Sequence, residues 1–194
     1  MTTRLVIPIL WAAAAIAQVP NQVLELDGDG DAVLLPPNVY DDLTEATVEG
    51  WFRWASLGFY GRAFAYGAPS QGMGINNDAL TSTLQYYLYD HRSRLHRIQV
   101  PHFLELDRWY HIAGVTGPDG MRLFVNGQLV GTNPSTVSFA DIGTGEHHRL
   151  GRPFWVENDD FHGWIDEVRV WRRARTEDEI QRHLHVDPSP DDPD

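Results

Sequence analysis

The stretch FHGWIDEVRVW, Phe161–Trp171, has the composition of a long β-strand with two adjacent carboxylates in its middle. Strict alternation would place Ile165 and Val168, which are both good core residues, on opposite faces of that strand. A β-bulge at Asp166–Glu167 would let both side chains point inward and would turn a carboxylate out of the ladder. The pattern therefore predicts a bulged strand, and we expect it to close the fold against the N-terminal strand.

The rest of the chain repeats short runs of alternating apolar residues between turn residues, which is typical of an antiparallel sandwich. Asn126-Gly127 separates two such runs, and because both residues tolerate positive φ it predicts a type I′ hairpin. The predicted strands are Val23–Leu26, Ala32–Leu35, Thr47–Trp54, Ala63–Tyr66, Leu84–Tyr89, Arg94–Val100, Tyr110–Thr116, Arg122–Val125, Gln128–Thr132, Arg149–Gly151 and Gly163–Trp171.

One short helix is predicted at the C-terminal end. Thr176 followed by Glu179 forms a capping box, with acidic residues in the first turn, where the helix dipole favours them. Ile180 and Leu184 lie four residues apart and would dock the helix onto a sheet. The predicted fold class is therefore all-β, an antiparallel sandwich with one short C-terminal helix.

Composition narrows the classes of function. The length of 194 residues and the 42% of hydrophobic residues suit one sandwich domain with a sizeable core. The chain has no cysteine, which excludes disulfides, thiol catalysis and thiolate metal sites. Its formal net charge of −12 disfavours a nucleic acid partner, because phosphate backbones would be repelled.

The two ends differ from the middle of the chain. Residues 1–17 resemble a secretory signal peptide, with Arg4 before the apolar run Leu5–Ile16 and a small-residue cleavage site. The run is shorter than the roughly 20 residues that span a bilayer, so no membrane insertion of the mature domain is expected. We expect a domain over residues 18–186, a disordered Pro- and Asp-rich tail or linker over 187–194, and a secreted, periplasmic or cell-surface location.

Four pieces of the sequence resemble the LamG-like (laminin G-like) modules of the concanavalin A-like lectin/glucanase superfamily. They follow in the family's order and cover roughly Gln22–Leu184, with a poorer match over Gly58–Pro101. The resemblance implies that the all-β fold is a two-sheet antiparallel jelly-roll sandwich with one short C-terminal helix. It also implies a non-catalytic module of a secreted or surface protein, often with a structural calcium ion. The pieces are LELDGDGDAVLLP, ATVEGWFRW, LDRWYHIAGVTGPDGMRLFVNGQLVG and FHGWIDEVRVWRRARTEDEI.

A cation site is one interpretation of the acidic residues. Asp27, Asp29 and Asp31 lie in a Gly-rich turn, and Asp166 would complete an oxygen-rich Ca²⁺ site if the terminal strands pair. In the alternative interpretation, the turn carboxylates cap their own backbone amides and no ion is bound. The spacing is not that of an EF-hand, because the following glutamate and flanking helices are absent.

No catalytic residues are predicted. Glycosidases of the superfamily place their carboxylates at alternate positions of one strand, whereas Asp166 and Glu167 are adjacent and Val168 and Val170 occupy the alternate positions. His147-His148 would point to opposite faces of a strand and so would not form a zinc pair.

Aromatic residues are the candidate ligand contacts, because the apolar C–H faces of sugars stack on exposed rings. We select Tyr60, Tyr86 and Trp155 from a group that also contains Phe59, Tyr87 and Tyr89. The alternative for each ring is packing in the core.

The sequence thus favours a secreted, non-catalytic binding module for carbohydrate or a glycan-bearing surface, with structural calcium. The alternative is a protein-interaction, adhesive or sensory module of a larger polypeptide, whose partner would be a cell-surface or extracellular protein. A glycoside hydrolase is the third hypothesis.

Overall fold

The computed structural model describes residues 22–155 and 159–186. The predicted signal peptide (1–17) and the predicted tail (187–194) lie outside these residues.

Two antiparallel sheets of six strands each pack face to face. Sheet I has the strand order β1-β12-β3-β8-β9-β10, and sheet II has the order β2-β11-β4-β5-β6-β7. This arrangement confirms the predicted jelly-roll sandwich. The elements are β1 Leu24–Asp27, β2 Val33–Leu34, β3 Ala46–Trp54, β4 Arg62–Ala68, β5 Gln71–Asn77, β6 Leu84–Tyr89, β7 Leu95–Val100, β8 Trp109–Thr116, β9 Met121–Val125, β10 Gln128–Asn133, a 3₁₀ turn Phe139–Asp141, β11 His147–Leu150, β12 His162–Trp171 and α1 Glu177–Arg182.

The core lies between the sheets and follows the two-residue period of the strands. In β3, Val48, Phe52 and Trp54 point inward and are fully buried, while Trp51 between them remains partly exposed on the outer face of sheet I. Phe64 and Met73 supply the facing layer from sheet II. Each strand therefore has one face in the core and one face available for other contacts.

The predicted bulge is present in β12. Its register against β3 shifts between Asp166 and Arg169, and Glu167 has a φ of 53°. As a result, Ile165 is buried and Val168 also packs against the core. β12 lies between β1 and β3, so the predicted closure against the N-terminal strand is confirmed.

The helix and the hairpin are also confirmed. The side chain of Thr176 accepts a hydrogen bond from the backbone N–H of Glu179, which completes the capping box of α1. Asn126 and Gly127 have φ angles of 49° and 76° and connect β9 directly to β10.

Strand β5 is absent from the predicted set. Its sequence, QGMGINN, is rich in Gly and Asn, which strands disfavour. The glycines are needed because rings cover the strand. A Cβ on Gly72 would lie 2.6 Å from the Phe154 ring, and one on Gly74 would lie 2.9 Å from the Tyr87 hydroxyl oxygen.

Candidate binding groove

A groove of about 400 Å³ lies on the outer face of sheet II, and we name it the tyrosine groove. It exists because Tyr87 and Tyr89 alternate outward along β6 while the glycines of β5 leave room beside them. Its lining residues are Tyr60, Arg62, Ser70, Gln85, Tyr87, Tyr89, Ser93, Leu95, Arg97 and Trp155.

Trp155 forms one wall of the groove together with the two tyrosines of β6. Its ring centroid is 5.8 Å from that of Tyr89 and 6.3 Å from that of Tyr87. It also packs, at a tilt, against the buried Phe154 ring, with the ring centroids 4.4 Å apart. Trp155 and Tyr89 remain partly exposed, so the wall presents aromatic surface to solvent.

Arg62 forms the floor of the groove. Its Nε–H donates to the Tyr87 hydroxyl at 2.7 Å, and its guanidinium carbon lies 4.6 Å from the centre of the Trp155 ring. Burial raises the pKa of the Tyr87 hydroxyl, an effect that the Arg62 charge opposes. Tyr87 therefore stays neutral and accepts the hydrogen bond, and the two aromatic rings hold the guanidinium in place.

A row of side-chain amides continues the floor across three strands. Gln99 Nε2 donates to Gln85 Oε1 at 3.0 Å, and Asn76 Nδ2 donates to the backbone carbonyl of Asn77 at 2.7 Å. Gln85 Nε2 in turn donates to Asn76 Oδ1 at 3.4 Å, so Gln85 is held from both sides at the base of the groove. Arg97, on the neighbouring strand β7, is exposed at the rim opposite Tyr87.

Two of the three predicted ligand contacts lie in this groove and one does not. Tyr60 and Trp155 line it, whereas Tyr86 is 1% exposed and lies between the sheets. Tyr86 was therefore a wrong prediction, and Tyr87 with Tyr89 occupies the expected position. The strand LQYYLY holds a signal for this, since Leu84 and Leu88 share the face of Tyr86 and form the more apolar set.

A second cavity, the arginine cleft, begins on the other side of Trp155. It has a volume of about 410 Å³. Arg149 donates from Nη1 to the Pro153 carbonyl at 3.0 Å, and Arg152 Nε lies 3.6 Å from Asp160 Oδ1. The cleft is lined by Leu34, Arg149, Arg152, Pro153, Phe154, Trp155 and Asp160.

The acidic turn after β1 shows the bonds of the capping alternative. Asp27 Oδ1 accepts from the backbone N–H of Asp29 at 2.8 Å, and Asp31 Oδ2 accepts from the backbone N–H of Asp27 at 3.3 Å. Asp160 also reaches this turn, where its Oδ2 accepts from the Gly30 N–H at 2.8 Å. The turn carboxylates thus hold the backbone of their own loop.

Asp166 does not join this turn, which corrects the expected four-residue ligand set. In the β1–β12 register Asp27 is opposite His162, so Asp166 lies four residues, or about 13 Å, farther along the strand. Among residues 22–155 and 159–186, no group of three or more His, Asp or Glu side chains is arranged to hold a metal ion. The four predicted residues therefore do not fit one ion, and calcium binding itself stays a prediction.

Asp166 instead lines the tryptophan cavity, a space of about 520 Å³ on the outer face of sheet I. Trp51 and Trp109 form its aromatic surface, and Glu167 and Arg169 form an ion pair at its edge. The last described residues, His183 to Val186, cover its far side.

Comparison with known proteins gives one match by family and several by structure. The profile of Laminin_G_3, described as concanavalin A-like lectin/glucanases superfamily, matches residues 27–181. No curated protein is matched by overall sequence similarity.

The structural neighbours share the fold at low identity. The Ruminococcus gnavus IT-sialidase CBM40, solved with alpha2,3 sialyllactose, has a TM-score of 0.70 and 15% identity, over 84% of this chain and 96% of its own. Domain 4 of AbnA, a GH43 extracellular arabinanase from Geobacillus stearothermophilus solved with arabinotriose, has a TM-score of 0.66 and 17% identity, over 84% and 81%. The heptameric SAP-like pentraxin from Limulus polyphemus has a TM-score of 0.56 and 22% identity, over 76% and 70%.

Proposed function

Because this chain belongs to the Laminin_G_3 family of the concanavalin A-like lectin/glucanases superfamily, we propose that it is a secreted, non-catalytic module that binds carbohydrate. The observation that carries the proposal is the tyrosine groove, where partly exposed aromatic rings and polar side chains line one cavity. Two neighbours in fold were solved with sialyllactose and arabinotriose, which supports the same class of ligand.

The groove has the chemistry that a sugar ring requires. The exposed parts of the Trp155, Tyr89 and Tyr60 rings would contact the apolar C–H faces of a pyranose or furanose. Gln85 and Arg97 would exchange hydrogen bonds with its hydroxyl groups, and such convergent polar groups in an aromatic pocket determine the orientation of a ligand.

The positions of the carboxylates support a non-catalytic role. Glycoside hydrolysis uses two carboxyl groups about 5–10 Å apart that face one cleft. The described residues that line the tyrosine groove include no Asp or Glu. Asp166 and Glu167 belong to the tryptophan cavity on the other sheet.

Secretion is part of the proposal and rests on the sequence of residues 1–17 and on the extracellular arabinanase among the neighbours. Within the described parts of the chain, no helix is long and apolar enough to cross a membrane.

The proposal predicts that Trp155→Ala removes most of the binding to a glycan identified on a glycan array. The affinity should fall by at least about tenfold, since a large aromatic contact at the centre of a site contributes strongly to binding. Titration calorimetry with that glycan measures the change, and circular dichroism checks the fold.

Trp164→Ala is the matched control, because Trp164 is partly exposed on sheet I, outside the groove. It should leave the affinity unchanged. Equal binding by Trp155→Ala and the native chain would contradict the assignment of the groove. A blank array from folded protein would favour the protein-interaction alternative, and release of reducing ends from β-glucans would favour the hydrolase.

A further inference from the structure

We propose that the ligand of sheet II is an extended anionic oligosaccharide that crosses Trp155 and occupies both the tyrosine groove and the arginine cleft. The inference rests on the proposed carbohydrate-binding function. It adds the charge of the ligand and the way in which the ligand lies on the protein.

The first observation is that Trp155 belongs to both cavities. It lines the tyrosine groove of about 400 Å³ on one side and the arginine cleft of about 410 Å³ on the other. A chain that stacks one sugar on the exposed ring therefore finds a cavity of similar size in each direction. A single terminal sugar would occupy only one of the two.

The second observation is the charge of the residues that line both cavities. Arg97 is exposed in the groove, and Arg149 and Arg152 line the cleft. The one carboxylate among the described lining residues is Asp160, which also accepts a hydrogen bond from the Gly30 backbone. The described lining residues of the two cavities therefore carry a net positive charge, on a chain whose formal net charge is −12.

The contacts of these arginines leave room for an anion. The guanidinium of Arg149 contacts a neutral carbonyl, that of Pro153, and the ring Nδ1 of His147 at 3.2 Å. The side chain of Arg152 is half exposed and lies 3.6 Å from Asp160, beyond a short hydrogen bond. A guanidinium binds carboxylate or sulfate oxygens in a bidentate manner, which neutral hydroxyl groups do not match.

The third observation is that arginines lie on both sides of the Trp155 ring. Arg97 lies on β7, on the groove side, whereas Arg149 lies on β11, on the cleft side. One charged sugar would satisfy one side only. A chain with a charge on successive sugars would satisfy both, so the geometry points to a polymer segment of repeating acidic units.

The test is titration calorimetry of the purified chain with oligogalacturonides of two and six sugar units. The fully methyl-esterified hexamer is the matched neutral ligand, and a heparin hexasaccharide is the sulfated one. The acidic hexamer should bind at least about tenfold more tightly than either its ester or the dimer. Binding should weaken in high salt, because salt screens exposed charges.

Substitutions of single arginines test which side chains bind the acidic hexamer. Arg97→Gln and Arg152→Gln should each weaken hexamer binding by about tenfold, since each removes a charge-assisted contact. Arg108→Gln removes the same charge from an exposed pair with Glu105 away from sheet II and should leave the affinity unchanged.

Each outcome decides one point. Preference for heparin over galacturonide supports the inference, with sulfate as the anionic group. Equal affinity for the acidic hexamer and its ester would show that the ligand's charge does not contribute to binding. Equal affinity for the dimer and the hexamer would show that the ligand does not occupy both cavities. If only neutral glycans bind, this inference fails while the proposed function stands; if no glycan binds on the array, the proposed function fails as well.

Discussion

Tyr86 and Tyr87 are adjacent in β6 but contribute to different parts of the molecule. Tyr86 packs against Gly114 of the facing sheet, where a Cβ would lie 2.6 Å from its ring. Tyr87 points outward and accepts the hydrogen bond of Arg62. A single step along a strand therefore separates a core residue from a groove residue.

This difference predicts the effect of removing each hydroxyl. Tyr87→Phe leaves the buried Nε–H of Arg62 without that acceptor, so the free energy of unfolding should fall by about 1–3 kcal/mol, and glycan affinity should fall with it. Tyr86→Phe is the matched control. Its hydroxyl lies near the Thr116 side chain but makes no hydrogen bond of standard geometry in the described chain, so the change should be below about 1 kcal/mol and the affinity unchanged.

Urea unfolding and glycan titration of both variants give the answer. A larger loss of stability in Tyr86→Phe than in Tyr87→Phe would contradict these assignments of the two faces.

For single residues, the sequence indicates which types of side chain contact a ligand better than it indicates where each side chain lies. Tyr60 and Trp155, selected from the sequence as exposed rings, both line the tyrosine groove, and their contact with a ligand stays a prediction. Arg62 was not predicted, because its role depends on Tyr87 and Trp155, which lie 25 and 93 residues later in the chain. Side-chain contacts between distant residues leave no periodic signal.

Helix α1 is attached to sheet I by a buried ion pair. Arg175 Nη1 donates to Glu49 Oε1 at 2.7 Å, and the Trp171 indole N–H donates to the same oxygen at 2.8 Å. The side chains of Arg175 and Glu49 are 0% and 1% exposed. Burial lowers the pKa of Arg175, and the charge of Glu49 opposes that effect.

Glu49→Gln should therefore lower the free energy of unfolding by about 3–5 kcal/mol, since it leaves the Arg175 charge buried without its counter-ion. Replacing both residues, as Glu49→Leu with Arg175→Met, should recover most of that loss. Chemical unfolding curves measure both changes.

Glu105→Gln provides the exposed comparison, because its pair with Arg108 faces solvent and should contribute at most about 1 kcal/mol. An equally small effect of Glu49→Gln would show that the buried pair does not hold the helix.

Elements with strong local signals were predicted, and one without such a signal was missed. The capping box of α1, the Asn126-Gly127 hairpin and the bulge of β12 each depend on residues that are close in sequence. Strand β5 depends instead on Tyr87 and Phe154, whose rings require Gly at positions 74 and 72. Its Gly-rich sequence is a consequence of tertiary packing and so resembles a loop.

The stability of the whole molecule should depend on pH through His111. Burial lowers the pKa of His111 to about 4, and the charges of Arg169, Arg175 and His185 add to that effect. Since its pKa in the unfolded chain is near 6.5, the unfolded state binds the proton more readily between these values. Stability is then fully present above pH 6.5 and falls as the pH drops towards 4.

The expected loss between pH 7 and pH 4 from this residue is about 2–3 kcal/mol. Glu179 acts in a separate, lower window: its pKa is lowered to about 2, so its contribution is present above pH 4.5 and disappears only towards pH 2. Urea unfolding at pH 7, 5.5 and 4 measures the loss of stability that His111 is expected to cause.

His111→Phe should flatten the decline between pH 6.5 and 4, whereas His91→Gln, at an exposed position, should not. Parallel curves for the native chain and His111→Phe would rule out His111 as the cause.

The sandwich class was predictable, although β5 was missed, because alternation extends over most of the described chain. The joint calcium site was not, because it required the register of β1 on β12. Asp27 in β1 and Asp166 in β12 belong to paired strands. Asp27 lies at the C-terminal end of β1, however, whereas Asp166 lies just beyond its N-terminal end. Pairing of two strands can be inferred from pattern, whereas the offset between them depends on the bulge and on side-chain packing.

The tryptophan cavity has a further consequence, because Val23 and Val186, at the two ends of the described chain, both line it. Both residues thus lie beside sheet I, and the tyrosine groove faces the other way on sheet II. A label or surface linkage introduced at Val23 or Val186 would therefore lie on the face opposite the tyrosine groove and should leave ligand binding unobstructed.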